Sequence, residues 1–327
     1  MDYTTTEVAP GIYRIESILG PRPFAQYLLW GERALLVDTG VAETPDEVIL
    51  PAMRDLGLDP IELDYVLITH ADADHFGGNA AVRHAAPRAV ICSHAADAAW
   101  IGDRARIIRE RYGWYADHGP EADYDAATKA WQQAAMAEDV PVDLHLVGGE
   151  RFRLGPALAV EALHLPGHTA GHLGLWEPAS RTAIVTDAVL ASGLFDLEGN
   201  VIHPPPVFDL AGYEASARAL RALAPARLLT AHYAVIEGAA VDEFLAETLS
   251  FVGRLREATG NALAGGEAVT LGGLLARLNP ELGPFTSMPN ELCGMIRAHL
   301  QELVAAGEAE DIAGASPPAW RARGGER

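Results

Sequence analysis

Two histidines and two aspartates, His70, Asp72, Asp74 and His75, fall within six residues at the end of a short apolar run, residues 65–68. The run reads as a buried strand. Gly77-Gly78 and the Ala-rich residues 79–86 follow it as a turn and a helix. This stretch constrains the chain more than any other. Imidazoles and carboxylates are the groups that divalent metals bind, and close spacing on one loop aims several of them at one point. The competing reading is a polar loop whose aspartates cap the following helix.

Three later pieces favour the metal loop. His168 and His172 lie in Leu165-Pro166-Gly167-His168-Thr169-Ala170-Gly171-His172, Asp187 ends the apolar run 183–186, and His232 ends the run 228–231. Each is a ligand-type residue just past a strand, and such strand ends converge on one edge of a layered α/β domain. In this order, and with Leu36-Val37-Asp38-Thr39-Gly40 before them, these motifs resemble the metallo-β-lactamase superfamily. The resemblance runs from about residue 8 to about residue 255. It implies a four-layer αββα sandwich with a dinuclear site at one edge. His70, Asp72 and His168 would bind one metal, Asp74, His75 and His232 the second, and Asp187 would bridge them. The chain departs from the family's usual His-x-His-x-Asp-His loop, because Asp72 stands where the second histidine is expected. The flavodiiron branch also places a carboxylate there, so Asp72 is retained as a ligand.

The 24 Lys+Arg against 45 Asp+Glu give a net charge of −21. That field repels nucleic acid and anionic membrane surfaces, which argues against a nuclease. Cys92 and Cys293 have no CxxC partners and sit in apolar surroundings, so they read as buried free thiols. The first residues show no secretory pattern, and no run approaches the roughly 20 apolar residues of a membrane span. A cytoplasmic protein acting on a small molecule is expected, with no nucleic-acid or membrane partner.

Along the chain, residues 12–18, 25–30, 34–37 and 89–93 read as strands, and Thr44-Pro45 starts a helix. Asp38 is either an orienting partner for a ligand histidine or a turn aspartate. Residues 95–140 carry few strand signals but many aromatics, and read as a helical insertion forming a lid and pocket wall. Within it Ile101, Ala105 and Ile108 form the expected apolar face, and Arg104, Arg106, Arg109 and Arg111 are either a clamp for a substrate carboxylate or, with Asp103 and Glu110 interleaved, the favoured solvated face. A Pro-rich loop, residues 196–207, carries His203 and either borders the site or, the favoured reading, is rigid surface; Tyr233 is an oxyanion donor or a packing residue. Gly260 and Gly265-Gly266 mark a boundary, dividing residues 1–258 from a small helical, winged-helix-like appendage, residues 259–327. Its main helix carries an apolar stripe suited to packing on the main domain or on a second copy in a homodimer. Residues 313–327 read as a frayed tail.

The chemistry the resemblance implies is hydrolysis of an ester-like bond, thioester or lactone first, by hydroxide activated between two divalent metals. Zinc is favoured, with iron or manganese as alternatives, and Asp74 is the candidate catalytic proton acceptor. Two other readings stand beside it. One is an iron-dependent redox enzyme or oxygenase, since oxygen and nitrogen donors also suit iron. The other is a non-catalytic binding protein with a degraded site.

Overall fold

The computed structural model describes residues 2–323. The first sheet holds seven strands in chain order: β1 Thr4–Ala9, β2 Ile12–Leu19, β3 Arg22–Trp30, β4 Ala34–Val37, β5 Leu63–Leu67, β6 Val90–His94 and β7 Leu144–Leu146. β1 to β4 pair antiparallel through short turns; β4 to β7 run parallel. The second sheet contains β8 Arg151–Arg153, β9 Ala159–His164, β10 Leu173–Glu177 and β11 Thr182–Ile184. It is completed, after a small hairpin of β12 Leu194–Phe195 and β13 Val201–His203, by β14 Arg227–Leu229 and β15 Ile236–Glu237.

Strand alternation builds four layers. Leu35, Val37 and Leu67 face the second sheet and pack with Phe152, Val160, Leu175 and Leu229. Their neighbours Leu36, Val66 and Ile68 face the other way, onto Val48, Ile49, Met53 and Val82 of the helical segments. On the far side, Ala183, Val185 and Leu228 meet Ala217, Leu220 and Leu245 from the helices Leu210–Leu223 and Ala239–Leu263. Covered on both faces, β4 is continuously apolar, and β5 is apolar apart from Asp64, as the parallel strands of a buried sheet favour. Each fully buried Leu or Ile there contributes roughly 1.5–3 kcal/mol, so Leu36→Ala should cost about 2–5 kcal/mol.

Three segments differ from their sequence reading. In the insertion, Ile107 is buried while Ala105 is exposed. The helix breaks at Gly102, and the Asp103 carboxylate accepts the Arg106 N–H to cap a new one, which resets the phase of the apolar face. Arg111 is buried and not on a solvated face. At the C-terminus, Ala319–Ala322 is a strand, β18, lying between β16 Val269–Thr270 and β17 Ala309–Asp311. Its Trp320 is buried with Arg297 over the ring, so this part of the expected tail is ordered; residues 324–327 lie outside the described residues. The helix begun at Ala239 runs unbroken through Gly260 to Leu263. Strand, two helices and a closing hairpin give the C-terminal segment a winged-helix-like order. Cys92 and Cys293 are both free and buried.

Candidate metal centre

β5 ends at Leu67, and the chain turns through His70 into a single helical turn, Ala73–Phe76. Asp72 occupies its N-cap position, but its side chain makes no capping bond. The carboxylate turns the other way: its Oδ2 lies 3.0 Å from His168 Nε2 and 3.8 Å from His70 Nε2. The capping explanation of that aspartate therefore fails.

Gly77 lets this loop sit where it does. A Cβ there would lie 2.0 Å from the Ala135 carbonyl oxygen, so the helix Ala126–Ala135 packs directly on the metal-loop backbone. The Ala137 N–H donates to the Gly77 carbonyl at 3.0 Å. At the second loop, Gly167 has φ +136°, and a Cβ would meet Tyr213 Cα at 2.4 Å. That close contact swings His168 inward from the end of β9.

The structure brings the seven expected donors together in three overlapping groups: His70, Asp72 and His168; Asp74, His75 and His232; and His70, His75 and Asp187. Within each group the donor atoms lie within 4.8 Å of one another. Asp187 Oδ2 is 3.3 Å from His75 Nε2 and 3.4 Å from His232 Nε2, between the other two groups. The backbone is strained at two strand ends beside these donors: Thr186, just before Asp187, has φ 43° and Asp38, behind His75, φ 62°, unusual for side chains other than glycine.

Tautomers are set from behind. His75 Nδ1 donates to Asp38 Oδ2 at 2.7 Å, His168 Nδ1 to the Pro206 carbonyl at 2.6 Å, and His232 Nδ1 to the Pro23 carbonyl at 3.1 Å. His70 Nδ1 meets the Thr69 hydroxyl at 3.0 Å, and that hydroxyl donates onward to Asp38. Asp38 is thus the orienting residue of its two possible roles. The Nε2 atoms of His70, His75 and His168, with one oxygen of Asp187, are buried without a hydrogen bond. Orphaned inward lone pairs behind tethered Nδ1 atoms are what metal ligation requires, so the donor set fits a pair of divalent ions.

Charge is distributed unevenly. Burial and the neighbouring histidines hold His70 well below its ordinary value. His75 goes the other way: burial opposes its charge, but Asp187 and Asp38 raise it well above. Burial also opposes ionisation of Asp187, yet His232 and His75 keep it well below the usual carboxylate range. Asp72 gains a partner that sequence reading set aside. Arg111 Nη2 lies 3.2 Å from Asp72 Oδ1, and its guanidinium sits 4.3 Å from the centre of the Phe208 ring.

Other candidates are settled by their contacts. His172 stacks on His70 at 4.6 Å and approaches the Thr186 hydroxyl, a supporting place outside the donor groups. The Tyr233 hydroxyl donates to the Leu190 carbonyl at 2.8 Å and its ring packs on Phe244, so it is a packing residue. His203 is no surface residue; it lines the metal-site pocket with Asp74, Asp187 and His232. The same narrow pocket, 40 Å³, receives Tyr112, Trp131 and Gln132 of the helical insertion and Met288 and Glu291 of the C-terminal segment. Tyr115 instead fills the insertion's own core against Tyr124. Trp114 lines a separate chamber of 310 Å³ beside His168.

Asp97 was invisible in sequence. It is buried, accepts the Ala71 N–H at 3.1 Å and the Gly171 N–H at 2.8 Å, and takes the Thr169 hydroxyl at 2.6 Å. It fastens the first metal loop to the second.

Two facing mixed sheets between helical layers, with imidazoles and carboxylates converging at one edge, define an αββα sandwich with a candidate divalent-metal site. The chain belongs to the metallo-β-lactamase superfamily, whose sequence model matches residues 20–232. A metallo-β-lactamase family protein of Thermus thermophilus has a similar fold, with a TM-score of 0.74 at 22% identity over 97% of this chain and 100% of that one. A β-lactamase domain protein of Burkholderia ambifaria gives 0.74 at 21% identity, covering 98% and 93%. Among curated proteins, a hydroxyacylglutathione hydrolase of Methylococcus capsulatus is 28% identical over 143 residues, 44% of this chain and 40% of that protein. The chain therefore spans less than half the length of that relative. No helix among the described residues is long and apolar enough to cross a membrane.

Proposed function

We propose that the chain is a metal-dependent hydrolase of an ester-like bond in a small molecule, with thioesters first and lactones next. One observation supports this most: four imidazoles tethered at Nδ1 converge with three carboxylates in overlapping groups whose donor atoms lie within 4.8 Å of one another. His70, Asp72 and His168 would hold one ion, Asp74, His75 and His232 a second, with Asp187 between them. When bound, such a pair polarises a carbonyl oxygen and lowers the pKa of water towards neutrality.

The chain's own groups do the rest. Asp38 and the Pro206 and Pro23 carbonyls keep the lone pairs pointing inward, so little reorganises when a ligand arrives. Asp74, on the pocket wall, is placed to accept the proton that water gives up. Tyr112 and Trp131 narrow the pocket and exclude bulk water. The similarity to a hydroxyacylglutathione hydrolase favours thioesters, since an acylglutathione is one. Three carboxylates among the donors keep iron and manganese beside zinc as the resident metal.

Elemental analysis and turnover test this together. The purified protein should carry about two metals per chain. It should cleave an S-acyl-N-acetylcysteamine faster than the matched oxygen ester. His168→Ala and His232→Ala should lose metal and turnover while keeping the fold. Either variant retaining full metal and turnover removes that residue from the site. Iron with a visible absorption band and oxidation in place of cleavage would favour the redox alternative, and a metal-free protein would sink the proposal.

A further inference from the structure

Arg22 opens β3 beside the tight turn that joins it to β2, its backbone paired with Leu19. Its side chain is 6% exposed and lines the pocket that holds Asp74, Asp187, His203 and His232. Among the described residues no carboxylate, carbonyl or ring partners its guanidinium. The other buried arginines differ. Arg14 donates to the Tyr233 carbonyl and pairs with Glu16, and Arg111 pairs with Asp72.

A guanidinium cannot discharge by losing its proton, and burying it without a counter-ion is costly. The neighbouring His203 gives no relief. Burial and Arg22 itself push His203 down to about 3, and its Nδ1 is turned to the Pro204 carbonyl. His203 is therefore neutral and supplies no negative charge. The pocket's carboxylates are engaged elsewhere: Asp187 by His75 and His232, Asp72 by Arg111 and His168, and Glu291 by the Tyr124 hydroxyl. Asp74 faces His232 at 3.9 Å. The fork of Arg22 is thus left free on this wall for an anion that enters the pocket.

We propose that Arg22 is the anion subsite of the pocket and receives a carboxylate carried by the substrate a few atoms from the scissile carbonyl. The planar fork of a guanidinium matches a carboxylate with two parallel hydrogen bonds. The narrow space beside it suits a short, flat group. The favoured substrates are then carboxylated esters or thioesters, and neutral ones are handled less well. This deepens the hydrolase reading and rests on it for the word substrate, but the anion subsite can be measured without turnover.

The test uses two matched thiols, 2-mercaptoethanol and 3-mercaptopropionate, titrated calorimetrically into the metal-loaded protein. Both offer the same thiolate, and only the second offers a carboxylate. The parent should bind 3-mercaptopropionate roughly tenfold tighter, the scale of one charge-assisted pair. Arg22→Gln should bring the two within about twofold while leaving 2-mercaptoethanol binding unchanged, and Arg22→Lys should keep part of the preference. A purely structural arginine would lower Tm when replaced. Here Arg22→Gln should leave Tm unchanged or raise it, because no side chain or carbonyl of the fold loses a bond when the guanidinium goes. Equal binding of the two thiols by the parent, or a preference that survives in Arg22→Gln, overturns the subsite alone. Failure of either thiol to bind overturns it together with the metal centre. An Arg22-dependent preference in a protein that cleaves no ester or thioester would sink the hydrolase reading and leave the subsite standing.

Discussion

Arg111 changes what Asp72 costs the site. A third carboxylate among the donors would weaken the Lewis acidity of the first metal by adding negative charge, but a buried guanidinium 3.2 Å away offsets that charge. The pair is a unit, and removing one member leaves the other buried and unpaired, at about 3–5 kcal/mol. Asp72→His, which restores the family's usual loop, should therefore lower stability by that amount in urea melts of the metal-free protein. The double variant Asp72→His with Arg111→Leu should recover most of it and bind zinc in preference to manganese. A single variant as stable as the parent would dissolve the pairing. The same residues set a pH dependence. Burial lowers both, but Asp187 and Asp38 outweigh it and raise His75, and Asp72 does the same for His168, so without metal both imidazoles hold their protons to higher pH than a free histidine. A raised histidine stabilises the metal-free fold at low pH, and that contribution fades as pH rises through its folded value. Metals need the deprotonated nitrogens, so affinity should rise with pH and binding should release protons. Calorimetry in two buffers of different ionisation heat measures the release; zero protons near pH 6 would contradict it.

At the scale of elements, the site is the meeting of strand ends whose loops are fastened to one another. Asp97 joins the loop after β5 to the loop after β9 through two N–H groups and a hydroxyl. Asp97→Ala would leave those donors buried, at roughly 1–3 kcal/mol each. It should also release metal. Leu220→Ala, in the outer layer away from the site, should cost a similar 2–5 kcal/mol but keep its metal. Equal metal in the two variants after gel filtration would reduce Asp97 to a general stabiliser. This fastening also marks where sequence reading stops. Strands such as 65–68 were legible because parallel strands buried on both faces must be apolar throughout. The convergence of the candidate donors was legible because each histidine or aspartate follows directly on an apolar strand. Asp97, Arg111 and Arg22 were not, because their meaning lies in partners or empty space across the fold: Asp97 meets Gly171, and Arg111 meets Asp72. The apolar face of the insertion was misphased because one capping aspartate, Asp103, restarts the helix. The strand at Ala319–Ala322 is too short to announce itself without its neighbours on either side.

Across the whole molecule, a single apolar cluster joins parts the sequence suggested separating at about residue 258. Ile68 and Phe76 by the metal loop, Tyr112 and Tyr115 of the insertion, and Leu292, Met295 and Trp320 of the C-terminal segment all belong to it. Polar contacts follow the same path, since the Tyr124 hydroxyl of the insertion donates to Glu291 at 2.5 Å. Met288 and Glu291 also wall the metal-site pocket. A segment that shares its core with the site should not open by itself, because opening would expose both faces of that core at roughly 25 cal/mol per Å². The two cysteines report on this from different layers. Cys92 lies between the sheets and Cys293 in the C-terminal helix, and burial pushes both thiols up to about 12. The thiolate is the reactive form, so neither should react with a thiol reagent in the native protein at neutral pH. In a urea series read by mass spectrometry after brief labelling, both should become reactive at the same denaturant concentration, coincident with loss of secondary structure. Labelling of Cys293 at a clearly lower urea concentration than Cys92 would show instead that the C-terminal segment unfolds as a unit of its own, and that its residues reach the pocket as a detachable wall.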